Sequence, residues 1–227
     1  MFLIYEQCSC FVNDNLEESQ KPQTALTMRR QPKQARSQER VHHILDVAEQ
    51  LFIELGYEQT TTRAIATRAD VPVGSLYQFF PDKDAIVRAL ANRYFEQEYQ
   101  MFVQLHAKLA DADITTYVDC MIDAFEQFAD KHPGYRAVLG KLIDLMTVAD
   151  ASQLNEYDQQ MLTEFAGFLY RRNPELDADQ CELMATIVFK AANELLWLSF
   201  TRDQLHRKQL LTETKTLITA YLQTHRI

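Results

Sequence analysis

The apolar residues Val41, Ile44, Leu45, Ala48, Leu51, Phe52 and Leu55 recur three and four positions apart, a spacing that places them on one side of an α-helix. A helix with one apolar stripe is stable only when the stripe is covered, so later segments of the chain must pack on it. Ser37 is the expected N-cap of this helix, and Gly56 sits where a left-handed C-cap belongs. Thr60 to Thr62 then offer a second N-cap, and Ile65, Ala66 and Ala69 line one side of a short helix able to close over the first. Asp70-Val71-Pro72-Val73-Gly74 suits a tight turn, with Pro72 and Gly74 interrupting the helical run. A third short helix is expected over Ser75 to Phe80. Leu76 and Phe80, four apart, turn inward and leave Gly74, Ser75, Tyr77 and Gln78 on or beside the outer surface.

Helix, tight turn, helix in this order is the geometry in which the second helix lies in the major groove with its first residues at base edges. Gln78 has the chemistry to pair bidentately with adenine, the Ser75 hydroxyl can donate or accept, and Gly74 lets the backbone come close. Thr62, Arg63, Tyr77 and Lys83 suit phosphates, which position a protein without reading sequence. Each residue has a plainer reading alone: Tyr77 as packing, Gln78 as a solvated amide, Lys83 and Asp84 as the charged first turn of the next helix. Together and in this order they point to double-stranded DNA as the partner.

The stretch Arg36 to Leu90 resembles the N-terminal domain of the TetR/AcrR transcriptional regulators. The residues that carry the resemblance are a long first helix ending ELGYEQTTTRAIATRADV, then VGSLYQFF, then PDKDAIVRAL. Two departures stand out. Asp70 takes a place where the family often has Gly, and Pro81-Asp82 one where a basic residue is frequent, which removes a candidate phosphate contact. The resemblance implies an all-α fold, with an N-terminal three-helix helix-turn-helix domain followed by a helical bundle for ligand binding and dimerisation. The expected organisation is a disordered extension and basic arm over residues 1–35, the helix-turn-helix domain over 36–96 and the effector-binding and dimerisation domain over 97–227.

A formal net charge of −9 sits oddly with a DNA partner until it is divided along the chain. Residues 29 to 93 hold 10 Lys and Arg against 8 Asp and Glu, whereas residues 94 to 227 hold 12 against 20. Arg29, Arg30, Lys33, Arg36 and Arg40 cluster just before and within the first helix, where an arm can reach phosphates or a groove. The acidic remainder suits a body held away from DNA.

That body reads as helix throughout, since 5 Gly and 6 Pro in 227 residues leave little room for a turn-rich sheet fold. Helices are expected from near Asp82 through Leu109, and over Thr115 to Lys131, Tyr135 to Val148, Ser152 to Arg172, Ala178 to Thr201 and Gln204 to Thr224. The penultimate one, from Leu183 to Phe200, has almost no polar face and so reads as buried on several sides. With the last helix it forms the expected homodimer interface, which matches the family's two-fold four-helix arrangement; a large monomeric core is the alternative. The resemblance also implies a pocket for a small-molecule effector of unknown identity. Phe102, Tyr117, Met121, Phe125, Phe189, Asn193 and Trp197 are candidates to line it, although for any one of them core packing is the stronger reading, since aromatic and Met stripes at helical spacing build bundles. Asn193 and Glu194 are favoured because burying a polar group in an apolar helix requires a partner.

Catalysis finds no foothold. The six His show no pairing with carboxylates at metal-ligand spacing and no Gly-rich phosphate loop occurs, so neither metal nor other cofactor is called for. Cys120 and Cys181 fall on apolar helices and read as buried thiols of a cytoplasmic protein. MFLIYEQCSCFV is apolar but short, lacks a basic start and runs into NDNLEES, which suits neither a signal peptide nor a membrane partner. Met28 directly precedes the basic arm RRQPKQARSQER, and is the expected true start.

Overall fold

The computed structural model of the chain describes residues 35–145 and 148–227, with side chains over 36–145 and 157–227. The extension before Met28 and the arm residues Arg29, Arg30 and Lys33 lie outside the described residues. Among the described residues there are nine helices and no strand.

The one-sided stripe forms α1, Ala35–Gln59. Val41, Ile44, Leu45, Ala48, Leu51 and Phe52 are buried as expected, but Leu55, beside the break at Gly56, is 49% exposed. Helix is already present at Ala35, so Ser37 lies inside the first turn rather than capping it. Gly56 does interrupt the helix, with φ 77° but ψ 163°. That pair is not the left-handed helical cap expected; it is a region open essentially to glycine alone.

Thr60 is fully buried, with its hydroxyl aimed at the carbonyl oxygens of Gly56 (2.8 Å) and Leu51 (3.2 Å). Its neighbour Thr61 caps α2, Thr62–Arg68, by accepting from the Ala64 N–H at 3.1 Å. The helix ends in a Schellman arrangement. Val71 N–H donates to Ala66 O at 3.0 Å and Asp70 N–H to Thr67 O at 3.3 Å, with Asp70 at φ 51° where glycine is usual. The next helix, α3, spans Val73–Phe79, two residues earlier than the expected Ser75 start. Pro72 is its N-cap, with ψ 136° and a carbonyl that accepts from the Ser75 and Leu76 N–H groups at 2.8 and 3.3 Å, so Val73 and Gly74 join the helix instead of the turn. Leu76, Phe79 and Phe80 are buried.

Asp82 opens α4, Lys83–Lys108, accepting from the Ala85 N–H at 2.7 Å. Asp113 does the same for α5, Ile114–Lys131, through the Thr116 N–H at 3.0 Å. Next come α6, Tyr135–Leu145, and α7, Val148–Arg172. A reciprocal capping box of Asp177 and Gln180 starts α8, Ala178–Ser199, and Asp203 caps α9, Gln204–Thr224.

Packing divides the described residues into two compact units. One comprises residues 35–97 with 129–145 and 148–155; the other comprises 98–128 with 156–227. In the first unit, α1 to α3 and the start of α4 enclose Ile44, Ile65, Leu76, Phe80, Ile86 and Leu90, none of them measurably exposed. A polar joint ties α6 into the same unit. Glu49 of α1 accepts from the Tyr94 hydroxyl and, at 2.5 Å, from Arg93, while the Tyr94 ring meets His132 and Tyr135 edge-on at 5.7 and 5.4 Å. Burial, and then the Glu49 carboxylate, push the Tyr94 phenol well above its ordinary pKa. Gly134 sits tight against this joint: a Cβ there would lie 2.6 Å from Glu49 Cγ and 2.8 Å from the Tyr94 hydroxyl. The second unit has its own core, drawn from the rest of α4 and α5 and from α7, α8 and α9.

Candidate nucleic-acid interface

Because Leu76, Phe79 and Phe80 anchor α3 inward, the opposite side of that helix is fixed outward. Gly74, Tyr77 and Gln78 are exposed on it and Ser75 is half-buried. The space where a Gly74 Cβ would stand is open, so the backbone there is accessible. This face is polar and carries no charge.

At its rim the Thr62 Oγ1 and the Tyr77 hydroxyl lie 2.9 Å apart, joining the first residue of α2 to the exposed side of α3. Arg63, next to Thr62, is exposed. Arg68, one turn on, is engaged by α1: its guanidinium makes two bonds to Glu54, at 2.5 and 2.7 Å.

Lys83 is oriented differently from a rim cation. Its ammonium donates to the carbonyl oxygens of Tyr57 (2.6 Å) and Thr60 (2.8 Å) and stands 3.9 Å above the Tyr57 ring. The α1 backbone is broken at Gly56, and carbonyls near a helix end lack intrahelical donors, so a cation finds ready acceptors there. The Tyr57 hydroxyl donates to Asp84, and Lys141 of α6 lies 4.5 Å from the same ring while pairing with Glu58 at 3.0 Å. Partial burial, followed by the Asp84 carboxylate, raises the Tyr57 phenol well above its ordinary pKa. Nothing in the local pattern around Lys83 marked Tyr57 as its partner.

Of the seven residues named for an effector pocket, five share one core and two, Asn193 and Trp197, stand outside it. Phe102, Tyr117 and Met121 are buried in the core of the second unit, with Phe125 and Phe189 packed against it. Trp197 is half-buried. Asn193 and Glu194 are exposed on α8, so the premise that burial demands a partner for them fails within the chain. Nor is α8 buried on several sides there: Leu183, Ile187 and Leu198 are exposed at 61%, 42% and 38%. An open groove of about 190 Å³ runs between α7 and α8, lined by Gln159, Leu162, Thr163, Ala166, Ala178 and Glu182, none of them among the seven.

The sequence reading missed a ladder of rings around His106. Phe102 stacks on its imidazole at 5.5 Å, Phe168 meets it edge-on at 5.1 Å, and Tyr117 stacks on Phe168 at 4.4 Å. Imidazole Nδ1 and the Tyr117 hydroxyl lie 2.9 Å apart, and the Arg171 guanidinium faces Nε2 at 3.4 Å. Burial, reinforced by the Arg171 charge and opposed by Glu164, lowers the His106 pKa below the ordinary 6.5. Aromatic residues at helical spacing signalled a core, but no local pattern showed that a histidine would sit within it.

The chain matches known proteins in both units. Residues 44–90 fit the model of bacterial regulatory proteins of the tetR family, and residues 113–222 that of the tetracyclin repressor-like C-terminal domain. The repressor KstR of Mycobacterium tuberculosis is 25% identical over 166 residues, 71% of this chain and 72% of that protein. The regulator YuxN of Bacillus subtilis is 28% identical over 74 residues, 33% of this chain and 25% of its own length. The chain thus spans about a quarter of the length of YuxN, and a similar share of the KstR proteins of Mycolicibacterium smegmatis and Rhodococcus jostii. In fold, a TetR-family regulator from Streptomyces coelicolor superimposes with a TM-score of 0.60 at 24% identity, over 82% of this chain and 98% of that one. The two family models together account for more than half of the chain, one over the helix-turn-helix and the other over the bundle, and the chain belongs to the TetR family of transcriptional regulators.

Proposed function

We propose that the chain is a ligand-responsive repressor that binds a palindromic operator as a homodimer and releases it when a small molecule occupies the bundle. The observation that carries the DNA-binding part is the outer face of α3, where exposed Gly74, Tyr77 and Gln78 are held by a fully buried anchor of Leu76 and Phe80. On this reading Ser75 and Gln78 read base edges, Gly74 permits close approach, and Thr62, Arg63 and Tyr77 meet phosphates. Lys83 supports that surface from behind. Leu183, Ile187 and Leu198 on α8, with Leu205 and Leu217 on α9, are the exposed apolar residues assigned to the two-fold interface.

Selection of duplexes by the full-length protein from a random pool tests the reading. Enriched sites should be inverted repeats with half-sites about one helical turn apart or a multiple of it; recovery of unrelated sequences alone overturns it. Leu183→Glu with Ile187→Glu should convert a sedimenting dimer to a monomer and abolish specific binding. The effector arm is tested by small molecules that both raise thermal stability and release the selected duplex. A DNA-binding architectural or partner-recruiting regulator without a small-molecule effector is the second reading, supported by the ring packing around Phe102 and Tyr117. It prevails if no compound in a broad set does both.

A further inference from the structure

Thr62 and Tyr77 are fifteen positions apart, on different helices, yet their oxygens are in hydrogen-bond contact at 2.9 Å at an exposed site. Each hydroxyl carries one proton, and one proton is enough to fill the space between the two oxygens. The pair therefore keeps a single proton to donate outward. A phenol is the stronger acid of the two, so its proton belongs with the stronger acceptor, an anionic phosphate oxygen, while Thr62 donates to the phenolic oxygen. Donation into the phenol polarises its own O–H bond and holds a 40% exposed side chain in one orientation.

We propose that Thr62 and Tyr77 form one phosphate-binding unit, with Tyr77 as the contact and Thr62 a positioning residue that acts through it. The proposal rests on the reading of α3 as a DNA-binding face, and reduces two separate rim contacts to one. The surroundings suit it. Gly74 lies one turn before Tyr77 on the same exposed side, with open space where a Cβ would stand. Arg63, exposed beside Thr62, supplies the charge that neither hydroxyl has.

The test is a double-mutant cycle on the full-length protein, titrated with the duplex selected from a random pool and read per half-site. Tyr77→Phe, which keeps the ring, should weaken binding roughly ten- to a hundredfold, the range for a hydrogen bond to a charged group. Thr62→Val should weaken it about two- to tenfold, and Thr62→Ser should restore wild-type affinity. The double variant should bind within about twofold of Tyr77→Phe, because Thr62 has nothing left to position. The salt dependence should be unchanged in all of them, since neither group displaces a counterion. Losses that multiply in the double variant show two independent contacts and overturn the proposal, as does full affinity in Thr62→Val. A melting temperature lowered in Thr62→Val but not in Thr62→Ser, with affinity loss persisting in the Tyr77→Phe background, assigns Thr62 a purely structural role and also overturns it. If the wild-type protein selects no sites at all, the reading of α3 itself fails first.

Discussion

Replacing Lys83 by Met retains the aliphatic stem and removes only the ammonium, so it isolates what that charge contributes. In the structure the ammonium serves two carbonyl oxygens, at 2.6 and 2.8 Å, and the face of the Tyr57 ring at 3.9 Å. Charge-assisted hydrogen bonds contribute about 1.5 to 3 kcal/mol each when well shielded, and a partly exposed cation–π contact about 0.5 to 1 kcal/mol. Lys83 is half-buried, and the Tyr57 carbonyl also accepts from the Thr60 N–H at 3.2 Å, so water and that donor recover part of the loss. The net destabilisation is then about 2 kcal/mol, or a fall of roughly 4 to 8 °C in Tm for a chain of this size. Thermal unfolding followed by far-ultraviolet circular dichroism measures it, alongside titration of the selected duplex at several salt concentrations. Lys83→Met should lower Tm while the slope of log affinity against log salt stays as in wild type. An unchanged Tm with a slope reduced by about one per half-site would identify Lys83 as a phosphate contact and refute its inward assignment.

Asp70→Gly should raise stability by about 0.5 kcal/mol, because relief of a left-handed backbone at φ 51° outweighs the added freedom of the unfolded chain; a lower Tm would contradict that balance. Gly134→Ala should cost about 1 to 3 kcal/mol, since its Cβ meets Glu49 and Tyr94 well inside van der Waals contact, and an unmoved urea midpoint would show the joint to be yielding. His106 has a folded pKa below 6.5, so the unfolded chain binds the extra proton more readily. Its contribution is fully present above pH 6.5 and is lost as pH falls through the lowered folded value. The stability advantage of wild type over His106→Gln, read from urea midpoints between pH 7.5 and 5, should therefore shrink toward acid; a constant or growing advantage would show that His106 is not held neutral.

What could be read from the sequence was set within a few residues of chain. The stripe of α1, the cap at Thr61 and the inward pair Leu76 and Phe80 each depend on neighbours three or four positions away. Helix ends were harder. Val73 and Gly74 read as turn because proline and glycine usually break helices, yet the Pro72 carbonyl accepts the first helical bonds and the helix begins directly after it. The missed features depend on distant partners: Lys83 on carbonyls 26 and 23 residues upstream, His106 on rings of two other helices, and Gly134 on α1. A lysine in the first turn of a helix looks the same in sequence whether it faces phosphate or its own protein. The apolar run of α8 had the opposite ambiguity, since Leu183 and Ile187 fit an interior and a partner-covered surface equally well.

The inward lysine also decides where the salt dependence of DNA binding must arise. Of the cations named for phosphate contact, Lys83 is committed to Tyr57 and Thr60, whereas Arg63 stays exposed, as do Arg36 and Arg40 in the first turns of α1. The hydroxyls of Tyr77 and Thr62, 2.9 Å apart, carry no charge and so add nothing to that salt dependence. Each phosphate neutralised by a cation contributes about 0.9 to the slope of log affinity against log salt, so Arg63→Ala should lower the slope by about one per half-site, or two for a dimer on its operator. Arg36→Ala and Arg40→Ala should do the same wherever the basic arm follows the backbone. On the proposed reading, base preference rests with Ser75 and Gln78 and should survive all three substitutions. An Arg63→Ala protein that keeps the full slope, while Lys83→Met loses one unit per half-site, would reverse the roles of the two residues and require α3 to be supported in some other way.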